Sequence, residues 1–326
     1  MSPILERLPI LVLYPHSRCN CRCVMCDIWK ESKAREITVE ELERHAGDIG
    51  ALGVEWVVLS GGEPLMHSDL FRLCRMLRAM GIRITLLSSG LLLKRNARAI
   101  VEHVDEVIVS LDGPEAVHDA IRGVIGAFRA LGEGVRALDQ LPVDARVTVQ
   151  RGNHNRLVET VDAAQKLGLR TISFLAADLT SDAFNRPNGW PPEHTARVAL
   201  DASELSALES EIDRLIGHRP LGFIREAPEK LRRIAAHFRG AAVAPRCNAP
   251  WVSAVIESDG TVRPCFFHAP IGRLEGRALI DVINSPQAIQ FRRDLIIGEN
   301  PVCMRCVCSL FRSEMTSGAE PPSTAS

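Results

Sequence analysis

The chain has no uninterrupted apolar stretch approaching the roughly 20 residues that span a bilayer. Its first residues, Met1-Ser2-Pro3-Ile4-Leu5-Glu6-Arg7, lack the charged-then-apolar order of a secretion leader. It is therefore expected to be cytoplasmic, with no membrane partner. An excess of charge is missing too: 39 Lys plus Arg stand against 40 Asp plus Glu, a formal net charge of −1. No overall field argues for a nucleic-acid partner. Disulfides are rare in the cytosol, so the ten cysteines of this 326-residue chain point to metal or redox chemistry rather than to crosslinks. Hydrophobic residues make up 46% of the sequence, enough for the core of one large domain or two medium ones.

The cysteines are clustered. Four lie in residues 19 to 26, five between Cys247 and Cys308, and only Cys74 falls between. Cys74 sits in an apolar run with helical spacing, Leu70-Phe71-Arg72-Leu73-Cys74-Arg75-Met76-Leu77, and reads as a small buried hydrophobe. Within the first group, Cys19, Cys23 and Cys26 have the spacing Cys-x3-Cys-x2-Cys, with Cys21 as a bystander. A 4Fe-4S cubane usually takes four cysteine ligands, so three in one loop leave one iron open to a small molecule. Structural zinc is the competing reading, but it wants four closed ligands, and His16 is the only extra candidate nearby.

After this loop, short β-branched or apolar runs alternate with amphipathic stretches of helical length, the pattern of a parallel β/α architecture. Strands are expected at 10–14, 55–59, 83–87, 106–111, 143–149 and 170–175. Helices are expected at 38–52, 68–80, 94–103, 116–141 with a break, and 155–167. Thr38 followed by Glu41 has the capping-box pattern, and Gly53, Gly81 and Gly168 lie just past helix ends. In a parallel barrel the active-site groups come from loops after the C-terminal ends of the strands. The cysteine triplet follows the first strand, Ser60-Gly61-Gly62-Glu63-Pro64 the second, Ser88-Ser89-Gly90 the third. Ser110 and Asp112-Gly113 end the fourth, and Gln150-Arg151-Gly152-Asn153 follows the fifth.

The triplet together with Gly61-Gly62-Glu63-Pro64 resembles the radical S-adenosylmethionine (radical SAM) superfamily. Ser110-Leu111-Asp112-Gly113 resembles a segment common in one of its branches. The resemblance implies an α/β fold with a partial (β/α)6 TIM-type barrel over about 1–181. It also implies a reduced cluster that passes one electron to the sulfonium of S-adenosylmethionine, giving methionine and a 5'-deoxyadenosyl radical that takes hydrogen from a substrate. On this reading Cys19, Cys23 and Cys26 hold the cluster. Gly61, Gly62, Glu63 and Pro64 face the cofactor's amino group, a carboxylate suiting an ammonium and glycines allowing close approach. Ser88, Ser110, Asp112 and Asn153 fall where the family contacts the rest of the cofactor. The physical alternative for each is an ordinary turn former. His118 and Arg122 are candidate cavity residues, with an Asp119–Arg122 pair on a solvated helix as the plain alternative.

Residues 182–246 read as a bridge, with aromatics and prolines around Phe184, Trp190 and Pro191 and then two amphipathic helices near 203–217 and 227–238. Beyond it, 251–257 and 261–266 read as a hairpin about Ser258-Asp259-Gly260, followed by a helix at 279–297 and Cys303-x2-Cys306-x-Cys308. This layout, over 247–312, resembles the twitch domain, a truncated SPASM domain of β-hairpin plus helix. The resemblance implies one auxiliary 4Fe-4S cluster on Cys247, Cys265, Cys303 and Cys306, with Cys308 spare or in place of Cys306; a four-cysteine zinc site is the alternative. The tail at 313–326 is expected to be disordered.

The function expected from these features is hydrogen abstraction from a small-molecule, natural-product or sugar-like substrate, with the auxiliary cluster aiding a two-electron oxidation. A reducing partner such as flavodoxin or ferredoxin is implied. The short lead before Cys19 argues against a separate peptide-recognition domain. Two readings compete: a maturase acting on a ribosomally made peptide, and a non-catalytic iron-sulfur or zinc scaffold. Arg151, His154 and His268 are possible acid or base groups, none of them singled out by spacing.

Overall fold

Ile10–His16 forms β1 and is buried along nearly its whole length, as a strand covered on both faces of a parallel sheet must be. The computed structural model of the chain describes residues 1–186, 189–217, 222–241 and 243–313. The expected tail, apart from Ser313, lies outside them. Five βα steps continue from β1. Helices α1 (Val39–Glu43) and α2 (Ala46–Ala51) lead to β2 (Trp56–Gly61), and α3 (Leu70–Ala79) leads to β3 (Arg83–Ser88). Then α4 (Leu93–His103) precedes β4 (Glu106–Ser110), α5 (Glu115–Arg122) and α6 (Ala127–Ala137) precede β5 (Val143–Val149), and α7 (Leu157–Lys166) precedes β6 (Ile172–Ala176). All five pairings are parallel, the strands lie in chain order, and β6 ends the sheet rather than returning to β1. This is the open, partial barrel. Its core is aliphatic, with Leu11, Leu13, Leu59, Leu73, Ile84 and Val107 all shielded from solvent.

All six expected strands are present, within two residues at either end, and the 116–141 stretch has its expected break, but two other expected helices are divided. The helix begun by Thr38, whose capping box with Glu41 is present, breaks at Arg44 and His45. There His45 N–H reaches back only three residues, to Leu42 O, and the next turn carries the weak helix formers Gly47 and Gly50. The 116–141 stretch breaks at Gly123 and Gly126, both at positive φ. The C-terminal helix divides into α12 (Leu279–Ile283) and α13 (Pro286–Asp294) because Pro286 brings no N–H while Ser285 caps the second piece through Ala288 N.

The bridge contains α8 (Pro192–Val198), α9 (Ala202–Gly217) and α10 (Pro228–Phe238). The first was not expected from the sequence. Its proline-rich start reads as a loop, yet Pro192 at the first helical position has the φ a helix needs. A one-turn helix, α11 (Ala249–Val252), precedes β7 (Ser253–Ile256), β8 (Thr261–Arg263) and the short β9 (Gly272–Arg273), and α14 (Pro301–Met304) carries Cys303. The hairpin is present, with an unexpected attachment. β7 pairs in parallel with β1, from Ile10↔Ser253 to Leu13↔Ile256, so nine strands form a single sheet in the order β6-β5-β4-β3-β2-β1-β7-β8-β9.

Candidate active site

The cysteine loop leaves β1 at His16 and is pinned on both flanks. On one side Gly62 N–H donates to His16 O (3.3 Å) and Glu63 N–H to Arg18 O (2.8 Å). A Cβ on Gly62 would lie 2.0 Å from Arg18 O, so only glycine lets the two loops meet. On the other side Arg22 N–H donates to Arg122 O (2.8 Å) and Val24 N–H to Ile121 O (3.1 Å), tying the loop to the end of α5. Cys21, shielded from solvent, is hydrogen-bonded through sulfur to both Cys19 and Cys23. That bond, with help from the Arg122 charge, lowers the Cys23 thiol to about 7, whereas burial pushes Cys26 up to about 12. Cys21 therefore stands between Cys19 and Cys23 in a loop whose thiols lie close to one another; a cubane with one open iron takes three thiolates.

Beside them lies Glu63, 1% exposed. Its carboxylate accepts from Ser88 Oγ (3.0 Å), Ser89 N–H (2.8 Å), Ser89 Oγ (2.7 Å) and Leu65 N–H (3.2 Å). Burial pushes its pKa up, and it is in no ion pair with a described residue. Such a carboxylate is solvated by neutral donors alone, an environment that an incoming ammonium completes. Pro64 starts a 3-10 turn, Pro64–Met66, that holds Glu63 at its mouth. Ser110, half-buried at the end of β4, makes no side-chain hydrogen bond within the described residues and is free to take one from a ligand.

Asp112 and Asn153 are placed differently. Asp112 is fully buried, paired with Arg122 at 2.6 Å and accepting from Thr148 N–H. Asn153 donates to Asp112 O (2.9 Å) and Thr148 O (3.1 Å) and accepts from Gln150 N–H. Both brace the loops after β4 and β5. Arg122 also points Nη1 at Cys23 Sγ, 3.6 Å away. The Asp119–Arg122 pair anticipated on the helix is not made: Asp119 accepts instead from Gly126 N–H and Phe128 N–H, across the turn to α6. His118 is buried against Asp112 N–H, and burial lowers its pKa to about 4, so it is neutral. Arg151 is paired with Glu204 and Asp201, and His154 Nδ1 lies 2.8 Å from Arg151 O, away from the cysteines' network.

The second cysteine set surrounds one apolar cavity of about 70 Å3. Cys247, Cys265, Cys303, Cys306 and Cys308 all line it, together with His268 and with Val12 of β1. His268 Nε2 lies 3.3 Å from Cys303 Sγ, and Cys306 Sγ is hydrogen-bonded to Cys308 O. Burial pushes Cys265 up to about 11 and Cys303 to about 12, so these thiols are protonated until something binds them. Five cysteines line this one cavity, one more than the four that a cubane usually takes. Among the described residues no three His, Cys, Asp or Glu side chains meet tightly enough to hold a single metal ion.

Aromatic rings connect the two sets: Tyr14 on β1 to Phe266 (6.2 Å between centroids), Phe266 to Phe267 (6.4 Å), and Phe267 to Phe184 of the bridge (6.2 Å). Nothing in the sequence signals how tightly the bridge is strapped to the cysteine loop. Asp27, the residue after Cys26, donates its N–H to Phe184 O and accepts from Trp190 Nε1 at 2.8 Å. Asn185 donates to Asp27 O, and His194, stacked on Trp190, lies 3.1 Å from Val24 O. Phe184 and Asn185 both adopt positive φ, 62° and 60°; asparagine tolerates this region, whereas for Phe184 it costs about 1–2 kcal/mol. Arg186 sits under this turn, paired with Asp178 and stacked on Phe184 and Trp190.

Two family descriptions match the chain where these centres lie: the radical SAM superfamily over residues 13–180 and an iron-sulfur cluster-binding domain, SPASM, over 247–307. The chain belongs to the radical SAM superfamily. It is an enzyme, with S-adenosylmethionine and 4Fe-4S as its cofactors. It is 31% identical over 218 residues to the pre-heme d1 synthase of Dinoroseobacter shibae, covering 64% of this chain and 53% of that protein. It is 28% identical over 263 residues to the PqqA peptide cyclase of Ruegeria pomeroyi, covering 76% and 65% respectively. The chain spans about half the length of the first of these curated relatives. In fold it is similar to SuiB of Streptococcus suis in its complex with S-adenosylmethionine, with a TM-score of 0.66 and 15% identity over 94% of this chain and 74% of that one. Among the described residues no helix is long and apolar enough to cross a membrane.

Proposed function

We propose that this radical SAM enzyme oxidises a small organic substrate held between its two cysteine centres. The cofactors, when bound, supply the electron and the hydrogen-abstracting radical; the protein supplies position and shelter. Cys19, Cys23 and Cys26 would hold the cluster that leaves one iron open. The observation that carries this reading is Glu63: a buried carboxylate with only neutral donors, one strand away from three convergent thiols. Its role is to receive the cofactor's ammonium, with Ser88 and Ser89 fixing the carboxylate. Ser110 offers a free hydroxyl to the rest of the cofactor. Asp112 and Asn153 act one layer behind, holding the β4 and β5 loops and keeping Arg122 against Cys23.

Cys247, Cys265, Cys303 and Cys306 would hold a single auxiliary 4Fe-4S cluster, positioned to accept the second electron of the oxidation. The aromatic line Tyr14, Phe266, Phe267 and Phe184 favours an apolar or ring-bearing substrate, consistent with a relative named pre-heme d1 synthase. A peptide substrate is the second reading, favoured by the wide coverage of the PqqA peptide cyclase.

The deciding experiment is anaerobic reconstitution followed by assay of reductant-dependent 5'-deoxyadenosine. Stimulation by ring-bearing metabolites such as carboxylated tetrapyrroles, and not by peptides, supports the small-molecule reading. Stimulation by peptides alone turns it into the maturase.

A further inference from the structure

On the radical SAM reading the cysteine loop receives its electron from outside the chain, and the segment that carries the loop is rich in exposed cations. Between His16 and Arg35 the sequence carries Arg18, Arg22, Lys30, Lys33 and Arg35 against only Asp27 and Glu31, in a chain whose net charge is −1. Lys30 is paired with Asp27. Arg18, Arg22, Lys33 and Arg35 are exposed and in no ion pair with any described residue. Uncompensated cations attract and orient an acidic partner, and of these four Arg22 is the one that packs against the turn between α5 and α6.

A second observation lies next to Arg22. The turn between α5 and α6 packs on it so closely that a Cβ on Gly123 would stand 2.7 Å from Arg22 O and 3.0 Å from Arg22 Cβ. Two residues on, Ile125 is 99% exposed. This is not a loose loop: Gly123 and Gly126 take positive φ, and the Asp119 carboxylate accepts from Gly126 N–H and Phe128 N–H. The turn is fixed with its isoleucine outward. It also adjoins a proposed cluster ligand, since the backbone oxygen of Arg122 accepts from Arg22 N–H and the Arg122 side chain points Nη1 at Cys23 Sγ.

We propose that the Gly123–Gly126 turn and Arg22, within the cationic rim of the cysteine loop, form the docking surface for an acidic one-electron carrier protein. Ile125 is the apolar contact at its centre, set against the exposed edge of the carrier's cofactor. The cations orient the carrier, and the route inward runs from the turn through Arg122 to Cys23. One electron leaves the carrier's reduced cofactor, which is oxidised by one unit, and enters the loop-held cluster, which is reduced by one; no bond is made or broken. The inference rests on the radical SAM reading of the cysteine loop.

The probe is flavodoxin, tested against the reconstituted full chain. Its affinity is expected to weaken about tenfold in Ile125→Glu and in Arg22→Glu, and in wild type to fall with added salt. Arg22→Lys should retain binding. With flavodoxin as donor, 5'-deoxyadenosine formation should drop in Ile125→Glu, while dithionite-supported formation in that variant stays at the wild-type level. A separate set of exposed arginines, Arg75, Arg95 and Arg98 on α3 and α4, is the control. Loss of binding in Arg98→Glu but not in Ile125→Glu overturns the proposal, as does salt-independent binding or equal loss of rate with both donors. Affinity is read without turnover, so patch-dependent binding to a chain that never cleaves S-adenosylmethionine would remove the enzymatic reading and leave the surface standing.

Discussion

Arg122 joins three parts of the site: the cysteine loop, the end of β4 and the turn into α6. Its guanidinium is almost fully buried, 2.6 Å from a fully buried Asp112 and 3.6 Å from Cys23 Sγ. Removing one partner of such a pair leaves the other charge stranded, at a cost of about 3–5 kcal/mol. Arg122→Ala is therefore expected to lower the denaturant midpoint sharply, with partial recovery in the Arg122→Ala, Asp112→Ala double variant. A small, additive loss in both would show that the pair is not coupled. The sequence offered Asp119, one turn earlier on the same helix, as the nearer partner. That pair does not form because Gly123 ends the helix and turns Asp119 toward the backbone of the next one. His118 gives a pH dependence of known sign. Its pKa, lowered by burial to about 4 from 6.5, means the unfolded chain binds the proton first as pH falls. The stability it contributes is complete above pH 6.5 and is lost between there and pH 4, by about 3 kcal/mol. A flat denaturation midpoint between pH 7 and 4.5, compared with His118→Gln, would contradict it.

At the scale of elements, the six barrel strands were legible because each is a β-branched or apolar run too short for a helix and bounded by glycines or polar turns. Motif residues could be placed at their C-terminal ends for the same reason. What sequence could not give was contact between distant segments. The 253–256 run is apolar in any setting, and nothing in it specifies β1 as a parallel neighbour rather than a hairpin standing alone. The strap was hidden in the same way. Its prolines announce a turn, but the partner of Trp190 is Asp27, 163 positions away. That bond joins an indole to a carboxylate, and hydrogen bonds to charged groups contribute about 1.5–3 kcal/mol. Trp190→Phe keeps the ring and removes the donor. It is expected to loosen the strap over the cysteine loop and raise 5'-deoxyadenosine formed per product turned over, measured by chromatography of both. An unchanged ratio would show that the strap does not shelter the site.

For the whole molecule, the parallel pairing of β7 with β1 makes the two cysteine centres parts of one sheet. Val12 lines the second pocket while its own strand delivers the first cysteine loop. The spacing between the centres is thus set by a strand buried on both faces, not by a linker, and the auxiliary cluster can be tested without disturbing the first. Two cubanes correspond to about eight irons and eight sulfides per chain. Five cysteines line the second pocket where four suffice, and Cys306 is hydrogen-bonded to Cys308 O, which points the Cys306 sulfur back along its own chain. The assignment of Cys306 as ligand requires that sulfur to turn into the cavity when the cluster is built. Cys308→Ser is then expected to retain about eight irons, whereas Cys306→Ser and Cys265→Ser fall to about four, with the electron paramagnetic resonance signal of the first cluster preserved. If Cys308→Ser falls to about four irons and Cys306→Ser does not, the fourth ligand is Cys308, and the sulfur hydrogen bond of Cys306 is part of the holo structure. Loss of iron to about four in Cys23→Ser with the second cluster intact completes the comparison, because a shared strand fixes the distance between the centres without making either one necessary for the other to assemble.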